Sequence, residues 1–425
     1  MVIDPEGYIV ANLSGEGHAA GLESFIPELI AIHEAKGTLH RGDGPYVAPE
    51  PRAGTLRFPG KVAPLRNRNF LVSDTGHHRL VELEADLETV VRAFGTGTKG
   101  FADGAAQMAR FNEPQGLVLL PEVLAAQLGY DVVVADSVNH RLRGISLTDG
   151  SVRTLAGNGV QRLLDAGPNT VNDDGEGTSG VLSGDPLTIA LSSPWDVTYS
   201  ETLGQVVIAM AGTHQIFGFD PAAQTVSILA GTGLEGLLDG AADQAWFAQS
   251  SGLAVDANGD IWVAASETSA LRVLRVTDGR VNRVETAVGE GLFDFGFQDG
   301  DASAARLQHP LGVAALPDGS VAIADTYNGA VRRYDPASKT VSTLARDLAE
   351  PSDVVLDGDL LIVVEANRHQ LSRVALPKEA LQVDEGSAQT QRPAINVAAG
   401  DFPWRCDSVR LPERNSMTVG VIQLS

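Results

Sequence analysis

Apolar residues along this chain come in short runs bounded by Gly, Asn, Asp and Pro, with period two or as brief buried stretches, a pattern that predicts strands and not helices. The stretch from Gly116 to Leu155 shows it: Gly116-Leu117-Val118-Leu119-Leu120, Asp131-Val132-Val133-Val134-Ala135, Leu142 to Leu147 and Ser151-Val152-Arg153-Thr154-Leu155 predict four strands joined by polar turns, one up-and-down sheet. The link between the second and third strand has a form of its own, in which an acidic or polar residue is followed by a tight polar turn and a short apolar run. It occurs six times, at Asp74–Leu80, Asp136–Leu142, Met210–Ile216, Ala265–Leu271, Asp325–Val331 and Glu365–Leu371. Successive copies start 62, 74, 55, 60 and 40 residues apart, room for one four-stranded sheet each plus insertions of unequal length. Sheets of this kind bury both faces by packing side by side around an axis. The expected fold is therefore all-β, a six-bladed β-propeller over residues 55–377.

A second repeated element links the blades. Gly95-Thr96-Gly97, Gly231-Thr232-Gly233 and Gly289-Glu290-Gly291 are followed by Asp103-Gly104, Asp239-Gly240 and Asp299-Gly300, and then by Phe111, Phe247 and Leu307. The glycines suit turns of positive φ, the Phe or Leu can plug the core, and a Pro can start the next inner strand. The second linker keeps Gly157-Asn158-Gly159 and Asp174-Gly175 but is swollen, whereas the fifth (ARDLAEPSD) lacks the insertion. Ahead of the repeats, Val2–Leu13 reads as a hairpin about Asp4-Pro5-Glu6-Gly7. Leu22, Phe25, Ile26, Leu29 and Ile30 form one helical stripe ending near Gly37, with Ser24 near the cap so that Pro27 falls in the first turn.

Charge narrows the partners. With 31 basic and 54 acidic residues the net charge is -23, a field that repels phosphate backbones and anionic lipid headgroups, so nucleic acid and membrane surfaces are poor partners. A single cysteine, Cys406, allows no internal disulfide and no Cys-x-x-Cys pair. The N-terminus lacks a signal-peptide pattern and no apolar run has membrane-spanning length, which predicts a cytoplasmic protein.

The Asp-x-x-Asn-His-Arg-Leu turns and the Gly-x-Gly, Asp-Gly, Ala-Arg-Phe linkers resemble NHL-repeat propellers, and among these the family in which a thioredoxin-like domain precedes a six-bladed NHL propeller and a C-terminal β-stalk. Val2 to Gly17 and the following helix resemble the last hairpin and helix of such a thioredoxin-like domain, and Leu56 to Val62 the start of the first blade. The resemblance implies a remnant of that domain at 1–42, a linker at 43–54, the propeller at 55–377 and an incomplete, irregular stalk at 378–425. It also implies that the redox cysteines of the family lie upstream of Met1, so no thiol oxidoreductase activity carries over. Asp401–Ser425 lacks stalk character, and re-reading Arg414–Leu424 in another frame restores a stalk-like segment, which suggests a frameshift.

The candidate site residues lie on the rim. His78, His140, His214 and His369 share one repeat position, where a ring of imidazoles competes with a tight-turn role bonded to the next blade. Sheets pack about 10 Å apart while zinc ligands lie about 2 Å from one ion, which favours the turn role. Asp74, Asp136, Asp325 and Glu365 precede those turns. An Asx-type bond to the turn backbone accounts for them, against a ring of metal-binding carboxylates that Met210 and Ala265 break. Asp173-Asp174-Gly175-Glu176 does not complete a calcium loop, the Gly-x-Gly segments lack the Lys-Ser/Thr of a phosphate loop, and no nucleophile elbow is present.

In such a blade the turn after the second strand and the linker to the next blade emerge on one face. Asp74, His78, Arg79, Asp136, His140, Arg141, His214, Asp325, Asn328, Glu365 and His369, with Arg110 and Arg306 of the linkers, are the candidate binding residues there. The expected function is a non-catalytic recognition or scaffold propeller for an unknown protein or small ligand, with no cofactor. The alternative is a lactonase-like, metal-dependent hydrolase with an axial ion, and an RNA-binding NHL domain is opposed by the charge.

Overall fold

Where β-branched and aliphatic runs meet turn residues, strands form. A computed structural model describes residues 2–6, 9–11, 19–39, 54–162, 180–182 and 184–381, all within one compact unit, Met1–Val383. β1 (Val2–Ile3) and β2 (Ile9–Ala11) pair as an antiparallel hairpin, followed by α1 (Ala19–Lys36). Blade 1 holds β3 (Val62–Pro64), β4 (Phe70–Asp74), β5 (Arg79–Leu83) and β6 (Val90–Phe94). Blade 2 holds β7 (Pro114–Leu119), β8 (Val132–Asp136), β9 (Arg141–Ile145) and β10 (Val152–Ala156), with a short helix, Glu122–Leu128, between its first two strands. The next three blades gain a two-residue outer strand: β11 (Gly180–Val181) precedes β12 (Pro194–Ser200), β13 (Gln205–Met210), β14 (Gln215–Asp220) and β15 (Thr225–Ala230) in blade 3. In blade 4, β16 (Gly240–Ala241) precedes β17 (Ser250–Val255), β18 (Ile261–Ala265), β19 (Ala270–Thr277) and β20 (Arg280–Val288). In blade 5, β21 (Gly300–Asp301) precedes β22 (Gly312–Ala315), β23 (Val321–Asp325), β24 (Ala330–Asp335) and β25 (Thr340–Ala345). Blade 6 has β26 (Pro351–Asp357), β27 (Leu360–Glu365) and β28 (Gln370–Ala375).

Every blade is an antiparallel meander, innermost strand first, as the turn pattern predicts. Two features depart from four equal strands. β11, β16 and β21, all from linker insertions, pair with the outermost strand of the blade they lead into, and blade 6 has three strands among the described residues.

The core lies between blades. Leu71, Leu80 and Phe94 of blade 1 pack with Phe111, Leu117, Val132 and Val134, and the linker plugs Phe111, Phe247 and Leu307 are completely buried. Each such side chain contributes about 1.5–3 kcal/mol of transfer free energy. Leu56, Val62, Val72 and Val81 pack with Ile362, Val364 and Leu371, so blades 1 and 6 share a core and close the ring.

The helix begins earlier than predicted. Ala19, Ala20 and Leu22 favour helix and extend it N-terminally, which leaves Pro27 in the interior, where one i to i−4 hydrogen bond is lost. Ser24 Oγ donates to Gly21 O within the helix instead of capping it. The helix ends as expected at Gly37, whose φ of 70° suits a residue without Cβ. The acidic loop Asp173–Glu176 and the tail Asp401–Ser425 lie outside the described residues.

Candidate functional site

Five of the six turns after the second strand are single 3-10 turns ending on a left-handed residue: His78, His140, His214, Gly329 and His369, with φ of 50°, 51°, 53°, 57° and 59°. Ser269, at φ 48°, takes the place in blade 4. At every one of these positions except Gly329 the side chain reaches the chain entering the next blade. Nδ1 of His78 accepts from Glu113 N at 3.2 Å, that of His140 from Ser193 N at 3.0 Å and that of His214 from Gln249 N at 3.2 Å. Nδ1 of His369 accepts from Phe58 N across the ring closure at 3.0 Å, and Ser269 Oγ accepts from His309 N at 3.1 Å. A histidine accepting at Nδ1 is the neutral tautomer protonated at Nε2. Burial holds His78 below its ordinary value, against the pull of Glu113, in keeping with this.

The acidic residue before each turn is buried, and its bond differs from the Asx-type turn expected. The carboxylates of Asp74, Asp136, Asp325 and Glu365 accept the backbone N–H of linker residues Arg57, Asn112, Gln308 and Ala349, at 2.7, 2.8, 2.7 and 2.9 Å. The linker runs directly over the strand end and presents an otherwise unpaired N–H, so the acid joins linker to blade. Met210 Sδ takes the same position against Ser192 N. Turn side chains complete the shells: Asn328 Nδ2 donates to Asp325 and to Gly296 O, and Arg79 Nε to Asp74 at 2.8 Å. Burial pushes Asp136 and Asp325 upward despite the arginines beside them. In Glu365 burial is outweighed by the Ala349 N–H and Gln370, and the carboxyl lies below its usual range.

Three fully buried arginines, which composition does not single out, explain the Asp-Gly linkers. Arg143 donates to Asp136 at 2.7 Å and Asp103 at 2.6 Å, and to the carbonyls of Ala102 and Arg110. Arg332 repeats this with Asp325, Asp299, Gln298 O and Arg306 O, and Arg272 with Asp239, Leu238 O and Trp246 O. Each holds an arm of the preceding linker flat on its blade. Arg141 donates to Asn139 O and Asn158 O, Arg110 lies exposed, and Arg306 pairs with Glu290 at 3.0 Å. The predicted rim residues are thus brought together blade by blade, in networks between turn and linker, and their carboxylates do not converge on one point.

Convergence occurs on the axis, at residues the sequence reading passed over. One inner-strand position reads Lys61, Gly116, Asp196, Gly252, Gly312 and Asp353 around the ring. Lys61 Nζ lies 3.3 Å from Asp196 Oδ2 and 3.4 Å from Asp353 Oδ1 and donates to Leu311 O at 2.6 Å. Asp353 also accepts from Val62 N at 3.0 Å and Asp196 from Leu253 N at 2.9 Å. All three side chains are buried. The glycines between them are steric requirements, since a Cβ on Gly312 would lie 2.6 Å from Asp353 Cα. Burial, with the repulsion of Asp196, raises Asp353 to about 6 although Lys61 opposes it, and burial raises Asp196 as well. Burial alone would lower Lys61; the two carboxylates outweigh it and raise its pKa. Next to this plug is a cavity of about 340 Å³ lined by Ala63, Val118, Thr198, Val313 and Val355 among others. The signal was available: aligning Gly60-Lys61-Val62 with Gln115-Gly116-Leu117 and its counterparts shows charge where three blades have glycine.

Outside the propeller, Asp4, Glu6 and His33 place possible ligand atoms within 4.8 Å of one another, with Lys36 Nζ 3.2 Å from Glu6.

Six meanders about an axis, stitched by these turns, define the class: the chain is a six-bladed NHL-repeat β-propeller. The NHL repeat family model matches residues 307–334, from the core plug into β24. The chain is 31% identical over 408 residues to Protein SUPPRESSOR OF QUENCHING 1, chloroplastic, of Arabidopsis thaliana, covering 89% of this chain and 36% of that protein. It is 30% identical over 428 residues to NHL repeat-containing protein 2 of Bos taurus, covering 90% and 56%, and 30% identical over 429 residues to the Homo sapiens protein of that name. It therefore spans between 36 and 56% of these curated relatives. Among solved structures, a candidate phosphatase of Bacteroides thetaiotaomicron shares the fold at 13% identity and TM-score 0.51, over 78% of this chain and 74% of that one. A streptogramin B lyase, at 10% identity and TM-score 0.46 over 76% and 95%, is too distant to carry an argument.

Proposed function

We propose that this chain is a non-catalytic recognition or scaffold propeller that binds a protein or small molecule on the face bearing the blade linkers. One observation carries the reading: the two carboxylates that converge on the axis close on the Lys61 ammonium, at 3.3 and 3.4 Å, and are saturated further by backbone N–H groups. A hydrolase-type propeller needs axial carboxylates open to a cation and a substrate; here an internal cation fills that role. The rim acids and histidines are likewise engaged in joining blades, which leaves the exposed linker arms as the contact surface. Net charge -23 favours a protein or small-molecule partner over nucleic acid or an anionic membrane. No described helix is long and apolar enough to cross a membrane. We read the compartment as cytoplasmic; fractionation tests this, since one relative carries the designation chloroplastic.

The test is a panel of lactone, phosphoester and disulfide substrates assayed with calcium or zinc, alongside melting temperatures with each metal. No turnover and no metal-dependent shift are expected. Metal-dependent hydrolysis that Lys61→Ala leaves intact or raises would overturn the reading in favour of a lactonase-like site.

A further inference from the structure

The arms leading into blades 2, 4 and 5 share one scaffold, and it fixes their alignment. Gly100 N, Gly236 N and Gly296 N donate to Phe111 O, Phe247 O and Leu307 O at 3.1, 3.1 and 2.9 Å, and a buried arginine grips the Asp that follows. Between the Gly-x-Gly and this glycine the first arm has Thr98-Lys99 and the second Leu234-Glu235, whereas the third has Leu292-Phe293-Asp294-Phe295. The hydrogen bond and the arginine clamp that close the scaffold use neither phenyl ring, so the side chains of Phe293 and Phe295 have no part in it.

Phe293 is 87% exposed and Phe295 54%. Their neighbours show how this surface treats an aromatic ring. Phe101 has the guanidinium of Arg141 at 3.9 Å and of Arg143 at 4.9 Å, and Phe297 has Arg346 at 4.0 Å and Arg332 at 4.4 Å. Among the described residues no cation covers Phe293 or Phe295. Asp294 stands between them, and Glu267 and Asp347 lie on the adjoining turn and linker; among the described residues none of the three has a Lys or Arg within 4 Å, and they outnumber the neighbouring Arg346, which lies over Phe297. Tyr327, 60% exposed, sits on the turn that Asn328 ties to Gly296 O. The result is an aromatic, negatively charged projection on the linker face. Phenyl faces beside free carboxylates attract cations carried on apolar chain.

We propose that the Phe293–Phe295 loop docks a basic, apolar peptide segment of a partner protein, with Arg or Lys side chains lying over the two rings and pairing with Asp294. This rests on the rim reading above and narrows it to one arm.

Fluorescence anisotropy on the full chain tests it, with a labelled peptide of alternating Arg and Leu, its Glu and Leu counterpart, and hydrogen-exchange mapping of the bound site. The Arg peptide is expected to bind at least about tenfold tighter than the Glu peptide. F293A/F295A should weaken it about tenfold, two exposed cation–π contacts being lost, with the melting temperature unchanged. D294N should weaken it less, and V123A, on the exposed helix of blade 2, not at all. Undetectable binding of the Arg peptide, equal binding of both peptides, or full binding by F293A/F295A overturns the proposal. Protection elsewhere on the linker face overturns it and leaves the rim reading standing; protection on no part of that face overturns both. Dimerisation lost in F293A/F295A assigns the loop to a second copy and overturns it too.

Discussion

Replacing Lys61 by methionine keeps most of the volume of the axial plug and removes its one positive charge. Asp196 and Asp353 then face each other, buried, and the carbonyl of Leu311 loses its donor. Removing one partner of a buried ion pair costs about 3–5 kcal/mol because the other charge is left uncompensated. In a domain of this size that corresponds to about 2 °C per kcal/mol, a drop of about 6–10 °C at pH 8. The deficit must shrink with acid. A carboxyl raised in the native state binds its proton more tightly than in the unfolded chain, so stability falls as pH rises from the unfolded toward the folded value. For wild type, with Asp353 at about 6, that window runs from about 4 to about 6 and amounts to about 3 kcal/mol. In Lys61→Met the carboxylates lose their counterion, the window extends above 6, and most of the deficit at pH 8 is recovered by pH 5. Urea midpoints at pH 5, 6.5 and 8 measure this, with Asp353→Asn as companion. The amide preserves the contact to Val62 N, leaves Lys61 paired with Asp196 and mimics the protonated carboxyl, so it is expected near wild type at pH 4 and, by the same linkage, up to about 3 kcal/mol more stable at pH 8, with a reduced slope between pH 4 and 6. A Lys61→Met deficit below about 1 kcal/mol, or one equal at pH 5 and 8, refutes the reasoning.

Other parts of the ring give their own tests. Gly312→Ala drives a Cβ to 2.6 Å from Asp353 Cα and is expected to cost about 1–3 kcal/mol by overpacking, read as a lower urea midpoint. Arg143→Met leaves Asp136 buried without its guanidinium and frees the arm around Asp103; a loss of about 3–5 kcal/mol and new tryptic cleavage at Lys99 or Arg110 are expected, and an intact arm in limited proteolysis argues against the clamp. His140→Ala gives up the bond from Ser193 N at a left-handed position and should cost about 1–2 kcal/mol, with His140→Asn recovering part of it in thermal melts.

The blade count, the strand positions and the turns were legible because they rest on local chemistry. Alternating Val, Ile and Leu between Gly, Asn and Asp leave few choices but strand and turn, and a residue recurring at a left-handed position selects His, Ser or Gly. Legibility stopped where a bond joins distant segments. Asp136 reads in sequence as the start of an Asx turn, yet its carboxylate accepts from Asn112 and Arg143. Pro27 reads as a first-turn residue, yet Ala19 and Ala20 extend the helix past it. The plug was missed because Lys61, Asp196 and Asp353 each sit singly in an apolar strand of a different blade.

Sequence alone thus determined that this chain forms six antiparallel blades with polar turns and unequal linkers on one rim, since strand period and turn preference act over a few residues. The tertiary structure decided which polar groups remain for a partner. Closing the ring puts Phe58 N on His369 and Lys61 between two aspartates of other blades, and burial requires such groups to pair with each other. Phe293 and Phe295, on an arm whose hydrogen bond and arginine clamp do not use them, stay exposed because no guanidinium or neighbouring strand covers them among the described residues.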